Sequence, residues 1–307
     1  MFSNFIYILV ALVIYTSSDL FSKSHSPSLL GVGVSLVIFL CFTLACRMAF
    51  GRLARRAAGA NRAAVDQGLN ILITRFSIAA LCMFAVNIHY CKLNLFLSNL
   101  PLFQTVPTLA ALVFLCIFLF YLAVTWNFAY QVQRLFFPGS LTKKDFIRSN
   151  ISFCLPAILP WVCLSLFADI IQLLPFEPIK AALSTEAGEV LYIVVFLSAA
   201  VIFGPVLIQK LWGCSPLEPG IQRDRIEKVC RRAGLGLANI LKWELFGGSM
   251  ITAGVTGLVG KFRYILVTPA LLNCLDEEEV ESVILHEIGH VQKHHMLFYL
   301  MFFAGFI

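Results

Sequence analysis

The sequence predicts an α-helical membrane bundle of about six transmembrane helices, with a seventh cut short, joined to a small α+β module. Three observations carry that expectation. Of the 307 residues, 59% are hydrophobic and 13% are charged, whereas soluble domains carry about 25% charge. Apolar runs of about 20 residues, enough to cross the hydrocarbon, recur along the first two thirds of the chain. Beyond residue 210 the pattern changes to short alternating stretches and charged helical ones. The expected division is a transmembrane bundle over 1–210, a module over 211–295, and the start of a truncated further span over 296–307.

The first run, 2–18, opens without Lys or Arg and is followed by no small-x-small cleavage site. It reads as a retained anchor rather than a cleaved signal. The second run is 28–46, SLLGVGVSLVIFLCFTLAC. The third, 69–90, holds Arg75 one turn inside, from where a long side chain can snorkel to the surface. Runs 106–126, 151–174 and 190–209 complete the six, with Asp169 near the outer end of the fifth. Neither Arg75 nor Asp169 has an evident partner in the sequence, and both read as boundary residues rather than as a transporter's relay.

Charge fixes the expected orientation. Arg47, Arg52, Arg55, Arg56, Arg62 and Arg75 stand against Asp66 between the second and third spans, and Arg134, Lys143, Lys144 and Arg148 lie between the fourth and fifth. The alternate loops hold only Lys23, Lys92 and Lys180, the last beside Glu177, Glu186 and Glu189. The positive-inside rule then puts both chain ends in the cytoplasm. The net charge of +6 reads as topology and attraction to an anionic bilayer, not as a nucleic-acid footprint. Six of the ten cysteines lie within apolar runs and no CxxC pair exists, so they are apolar fillers rather than staples.

In the module, IQRDRIEKVCRRAG (221–234) places Ile226, Val229, Cys230 and Ala233 at helical spacing, with Gly234 as the C-terminal stop. ILKWELF alternates as a strand, GGSMITAGVTGLVG is Gly-rich and β-branched, and KFRYILVT forms a further strand before Pro269. A helix is expected from 276 to 295. Asp276 and Glu279 have capping-box spacing, acids fill its first turns, and Lys293, His294 and His295 fill its last.

That helix carries HEIGH. His286 and His290, four apart, lie on one face and can reach a single point. Glu287, about 100° around from His286, falls among Val280, Val283, Ile284, Ile288 and Val291. A carboxylate on an apolar face is costly unless something engages it. This is the HExxH arrangement, in which two histidines bind Zn2+. The glutamate is the general base that takes a proton from the metal-activated water and delivers it to the leaving amine. His294 continues the row, but three ligands spread over about 12 Å of helical rise cannot meet at one ion. His294 and His295 are instead expected to close the helix at the membrane surface. His25 and His89 are isolated.

Over YILVTPALLNCLDEEEVESVILHEIGH, residues 264–290, the chain resembles the HtpX-like and CAAX prenyl endopeptidase family of integral membrane zinc metallopeptidases, of the HExxH gluzincin type. The resemblance implies a zincin-like catalytic module with His286 and His290 as metal ligands and Glu287 as base. It also implies a substrate-pairing strand at Ser249, Met250, Ile251, Thr252, Ala253 and Gly254, where relatives often carry Asn-Ala in place of Ser249-Met250. The family completes its site with a glutamate on a later helix, but the 17 residues after His290 contain no acid. The expectation is a fragment cut within a seventh span.

The expected function is a membrane-embedded zinc metalloendopeptidase of the plasma or inner membrane, cytoplasm-facing, acting on membrane or lipid-anchored polypeptides. The alternative is a catalytically inactive scaffold or sensor that keeps the peptidase fold. If the orientation holds, a membrane-impermeant thiol reagent applied from outside should label a cysteine introduced at Ser184 but not one at Gly220. The reverse pattern would place the module outside.

Overall fold

The computed structural model describes residues 3–18, 29–57, 61–98, 100–136, 141–244, 250–295 and 297–298. The chain divides into two compact units between Lys180 and Ala181. The first contains α1 (Ser3–Thr16), α2 (Leu29–Ala57), α3 (Arg62–His89), α4 (Asn94–Ser98), α5 (Pro101–Thr105), α6 (Pro107–Phe136) and α7 (Lys143–Leu173). The divide falls within α8 (Glu177–Leu183).

Among the described residues, four helices are long and apolar enough to cross a bilayer: Leu29–Ala57, Ala63–His89, Pro107–Leu135 and Glu186–Leu211. The chain is an integral membrane protein. A fifth crossing results if α7 is one span, bent by 58° between Lys143–Pro156 and Ile158–Leu173. Pro156 and Pro160 account for the bend, because each removes a backbone donor and crowds the preceding turn. The first expected span forms a helix of only 14 residues, about 21 Å long against a hydrocarbon thickness of about 30 Å. The seventh span expected over 296–307 lies outside the described residues except for Leu297 and Phe298, which are helical.

Helix α2 outruns its apolar stretch. It continues through Arg47, Arg52, Arg55 and Arg56 to Ala57, since backbone hydrogen bonds sustain it and the closing arginines suit the negative end of its dipole. Within the first unit α6 is the central helix, packed against α1, α2, α3 and α7. Its Phe118, Tyr121, Leu122 and Trp126 are fully buried. Tyr121 meets Phe39 and Phe42 edge-on, with ring centroids 5.3 and 5.1 Å apart. Its hydroxyl accepts from Asn87 Nδ2 at 3.0 Å.

The second unit contains α9 (Glu186–Leu211), β1 (Ser215–Pro216), α10 (Ile221–Arg232), β2 (Asn239–Lys242), β3 (Ala253–Thr256), β4 (Tyr264–Val267), α11 (Pro269–Cys274) and α12 (Glu277–Gln292). The sheet order is β1-β2-β4-β3. β2 and β4 are parallel, with Ile240 opposite Ile265, and the other two pairs are antiparallel. Ile226, Val229 and Cys230 of α10 and Ile284 and Ile288 of α12 share one core with Ile240, Ile265 and Val267. Both helices therefore cover the same face of the sheet. Leu241 and Leu266, which point the other way by strand alternation, are buried as well. That is why β4, YILV, reads as a continuous apolar run rather than as an alternation.

The turn between β3 and β4 is held by Arg263. Its guanidinium donates to the carbonyls of Gly257, Gly236 and Leu258, and burial lowers its pKa from the usual value. Gly257 has φ +98°, and a Cβ there would collide with the carbonyl oxygen of Phe262. A left-handed non-glycine residue costs about 1–3 kcal/mol before any clash. Gly257→Ala should therefore lower the thermal midpoint of the purified protein, whereas Gly236→Ala, where a Cβ meets nothing within 4 Å, should not.

Candidate active site

Helix α12 is specified at both ends. Asp276 Oδ1 accepts from the Glu279 amide at 2.8 Å, and Glu279 Oε2 accepts from the Asp276 amide at 3.0 Å. This is the complete capping box the spacing predicts. The far end departs from expectation. The helix stops at Gln292, Lys293 caps it, and His294 takes the left-handed region at φ 54°. Amides of Lys293 and His294 close onto the carbonyls of Gly289 and Val291. Gln292 Nε2 donates to the Ala233 carbonyl at 3.0 Å, tying that end to α10.

Ile284 and Ile288 bury the back of α12, so His286 and His290 stand exposed on another face with Glu287 half-buried beside them. His286 Nε2 and His290 Nε2 are 3.2 Å apart, and their rings are nearly perpendicular at 89°. One ligand atom from each of His286, Glu287 and His290 lies within 4.8 Å of the others. The donor set fits zinc. Nitrogens bound at about 2.0–2.1 Å to a tetrahedral ion sit about 3.3 Å apart. Burial raises the Glu287 pKa above its ordinary value, and the charges of His290 and His286, when protonated, pull it back.

The remaining sequence candidates are distributed as follows. Ser249 lies outside the described residues. Met250, Ile251 and Thr252 precede β3, while Ala253 and Gly254 belong to it. β3 is the sheet's edge strand next to β4, and α12 packs against it. Glu244, another carboxylate of the module, pairs with Lys242 at 2.5 Å, and among the described residues it is not part of the His286–Glu287–His290 cluster. A groove between α10 and the start of α12 is lined by Arg225, Ile226, Leu272 and Glu281 and does not reach the histidines.

Two positions were not singled out for these roles from the sequence. Thr268, fully buried, donates its hydroxyl to the Thr252 carbonyl at 2.9 Å and accepts from the Thr252 amide at 3.1 Å. It also caps α11 through the Leu271 amide. A threonine directly before a helix-opening proline is a legible N-cap signal, but its grip on the residue leading into β3 is tertiary. The second is His295, whose Nδ1 lies 2.7 Å from His290 Nδ1.

The sequence pattern of peptidase family M48 matches residues 219–306. That segment is a peptidase family M48 domain. The M48 segment begins just ahead of α10 and takes in the sheet strands β2, β3 and β4 together with α12. Over 117 residues the chain is 32% identical to CAAX prenyl protease 1 of Saccharomyces cerevisiae, a match covering 36% of this chain and 26% of that relative. The chain thus matches about a quarter of that protein's length. The fold is shared with the crystal structure of S. mikatae Ste24p at a TM-score of 0.53 and 22% identity, covering 91% of this chain and 69% of that one.

Because the capping box satisfies two otherwise orphaned donors, Asp276→Ala should cost about 1 kcal/mol locally. Hydrogen exchange of the first-turn amides of α12 should then quicken about fivefold. Unchanged exchange there would mean that packing alone fixes the helix start.

Proposed function

We propose that this chain carries the active site of a membrane-embedded zinc metalloendopeptidase that hydrolyses membrane or lipid-anchored polypeptides. The observation that carries the reading is the 3.2 Å approach of two Nε2 atoms with a half-buried carboxylate one residue away. His286 and His290 would hold the ion through Nε2, and the third protein ligand is assigned to a glutamate on a later helix, as the family resemblance implies. Zinc held there supplies Lewis acidity that polarises the scissile carbonyl and lowers the pKa of water. Glu287 accepts the attacking water's proton on its carboxylate and passes it to the leaving amine nitrogen, so that the peptide C–N bond breaks and an acid and an amine result.

The edge strand supplies the binding surface for that reaction. An extended substrate can add to β3 through backbone hydrogen bonds, as peptides do at open sheet edges, and α12 lies alongside. Residues 249–254 are the segment assigned to this contact. The positive-inside pattern puts the module on the cytoplasmic side. The polypeptide substrate and the bilayer are then its two partners. The likeness to a relative named a CAAX prenyl protease favours lipid-modified C-terminal segments as the substrate class.

Two substitutions in the full-length protein test the chemistry. Glu287→Gln should keep the bound metal, measured by elemental analysis, yet lower peptide hydrolysis by at least about 10²-fold through loss of the base. His290→Ala should lose both. Turnover by Glu287→Gln near that of the parent would remove the mechanism. A parent protein that binds zinc stoichiometrically but cleaves nothing would favour the scaffold reading.

A further inference from the structure

We infer that His295 is a positioning residue: its imidazole accepts the Nδ1–H of His290 and so fixes the tautomer and ring plane in which His290 offers Nε2 to the metal. The inference rests on the zinc reading above and adds to it a residue that the HExxH pattern does not contain.

The geometry is specific. His290 Nε2 faces His286 Nε2, while its other nitrogen, Nδ1, faces His295 Nδ1 at 2.7 Å. A ring that gives Nε2 to a cation must carry its proton on Nδ1, and that proton needs an acceptor. Metal-binding histidines commonly donate this second N–H to a neighbouring group that orients them. In an unbroken helix a side chain five residues on would point about 140° away from His290. The left-handed residue at His294 breaks the helix and swings His295 back against the ring, with centroids 4.9 Å apart. Backbone amides of Lys293, His294 and Phe298 bond across the turn, to the carbonyls of Gly289, Val291 and His294. His295 cannot serve as a ligand of the same ion through this nitrogen, since it approaches the side of His290 that faces away from His286.

The test is zinc affinity of the full-length protein, read by competition with a chromophoric chelator, together with the visible spectrum of the Co2+ form. His295→Phe keeps a ring and removes the acceptor. It should weaken zinc about 10–100-fold and shift the Co2+ bands. His295→Asn restores an oxygen acceptor near the position of Nδ1 and should recover most of the affinity. His294→Asn, which suits a left-handed residue, should leave it unchanged. Should His295→Phe unfold the metal-free protein, as judged by its melting curve, the comparison of His295→Asn with His295→Ala decides instead. Parental affinity in His295→Phe, or equal loss in the Asn and Ala variants, overturns the inference while leaving the zinc site standing. A parent protein that binds no zinc overturns the site itself.

Discussion

Two imidazoles converge on one point only when the helix bearing them is prevented from rotating, fraying or sliding. In this module that constraint is met mainly by burial. Ile284 and Ile288 sink into the core shared by α10 and the sheet, each fully buried side chain being worth about 1.5–3 kcal/mol. The ion pairs of Arg225 with Glu277 and Arg232 with Glu281 join exposed side chains, a class of contact that contributes little. The capping box and Gln292 then set where the helix begins and what its last turn touches. The 3.2 Å spacing of the two imidazole Nε2 atoms inherits its definition from this hydrophobic anchoring.

The bundle obeys a different constraint. Between apolar helices the surrounding lipid offers no hydrophobic advantage, so close packing and satisfied polar groups hold the helices together. The aromatic residues around Tyr121 supply the first, and the Asn87–Tyr121 bond helps with the second. Asp169, near the end of its helix, accepts from the Thr108 amide at 2.9 Å. It thereby occupies one of the orphan donors at the start of α6, where the helix dipole favours negative charge. Its carboxylate has a structural duty, which removes the sequence feature that most suggested an ion path.

What could be read in advance follows from what is local. The HExxH helix, its cap, the amphipathic α10 and the apolar spans were legible because each is written in spacing within one element. Strand β4 was legible for the same reason. The parts that were not legible depend on contacts between elements. Thr268 reads as an N-cap, but its hold on Thr252 exists only once β3 lies beside β4. Asp169 found its partner 61 residues away. The expected run of 2–18 is longer than α1, which ends at Thr16 where the apolar stretch gives way to Ser17 and Ser18. The expectation that the active-site helix reaches 295 failed because helix-favouring charge at Lys293 says nothing of the left-handed turn that follows.

That turn shows how strongly a single backbone conformation can decide side-chain roles. His294 and His295 are chemically identical neighbours, and in a continuous helix His294 would extend the row of His286 and His290 while His295 pointed elsewhere. With φ at 54° for His294, the order is reversed. The residue that matched the ligand spacing leaves the row, and the one that did not match reaches the second nitrogen of His290. Spacing rules identify the atoms that can meet an ion along a helix, but they assume that the helix continues. Where it ends, the next side chains are aimed by the cap, and the surroundings of a metal ligand become a property of helix termination.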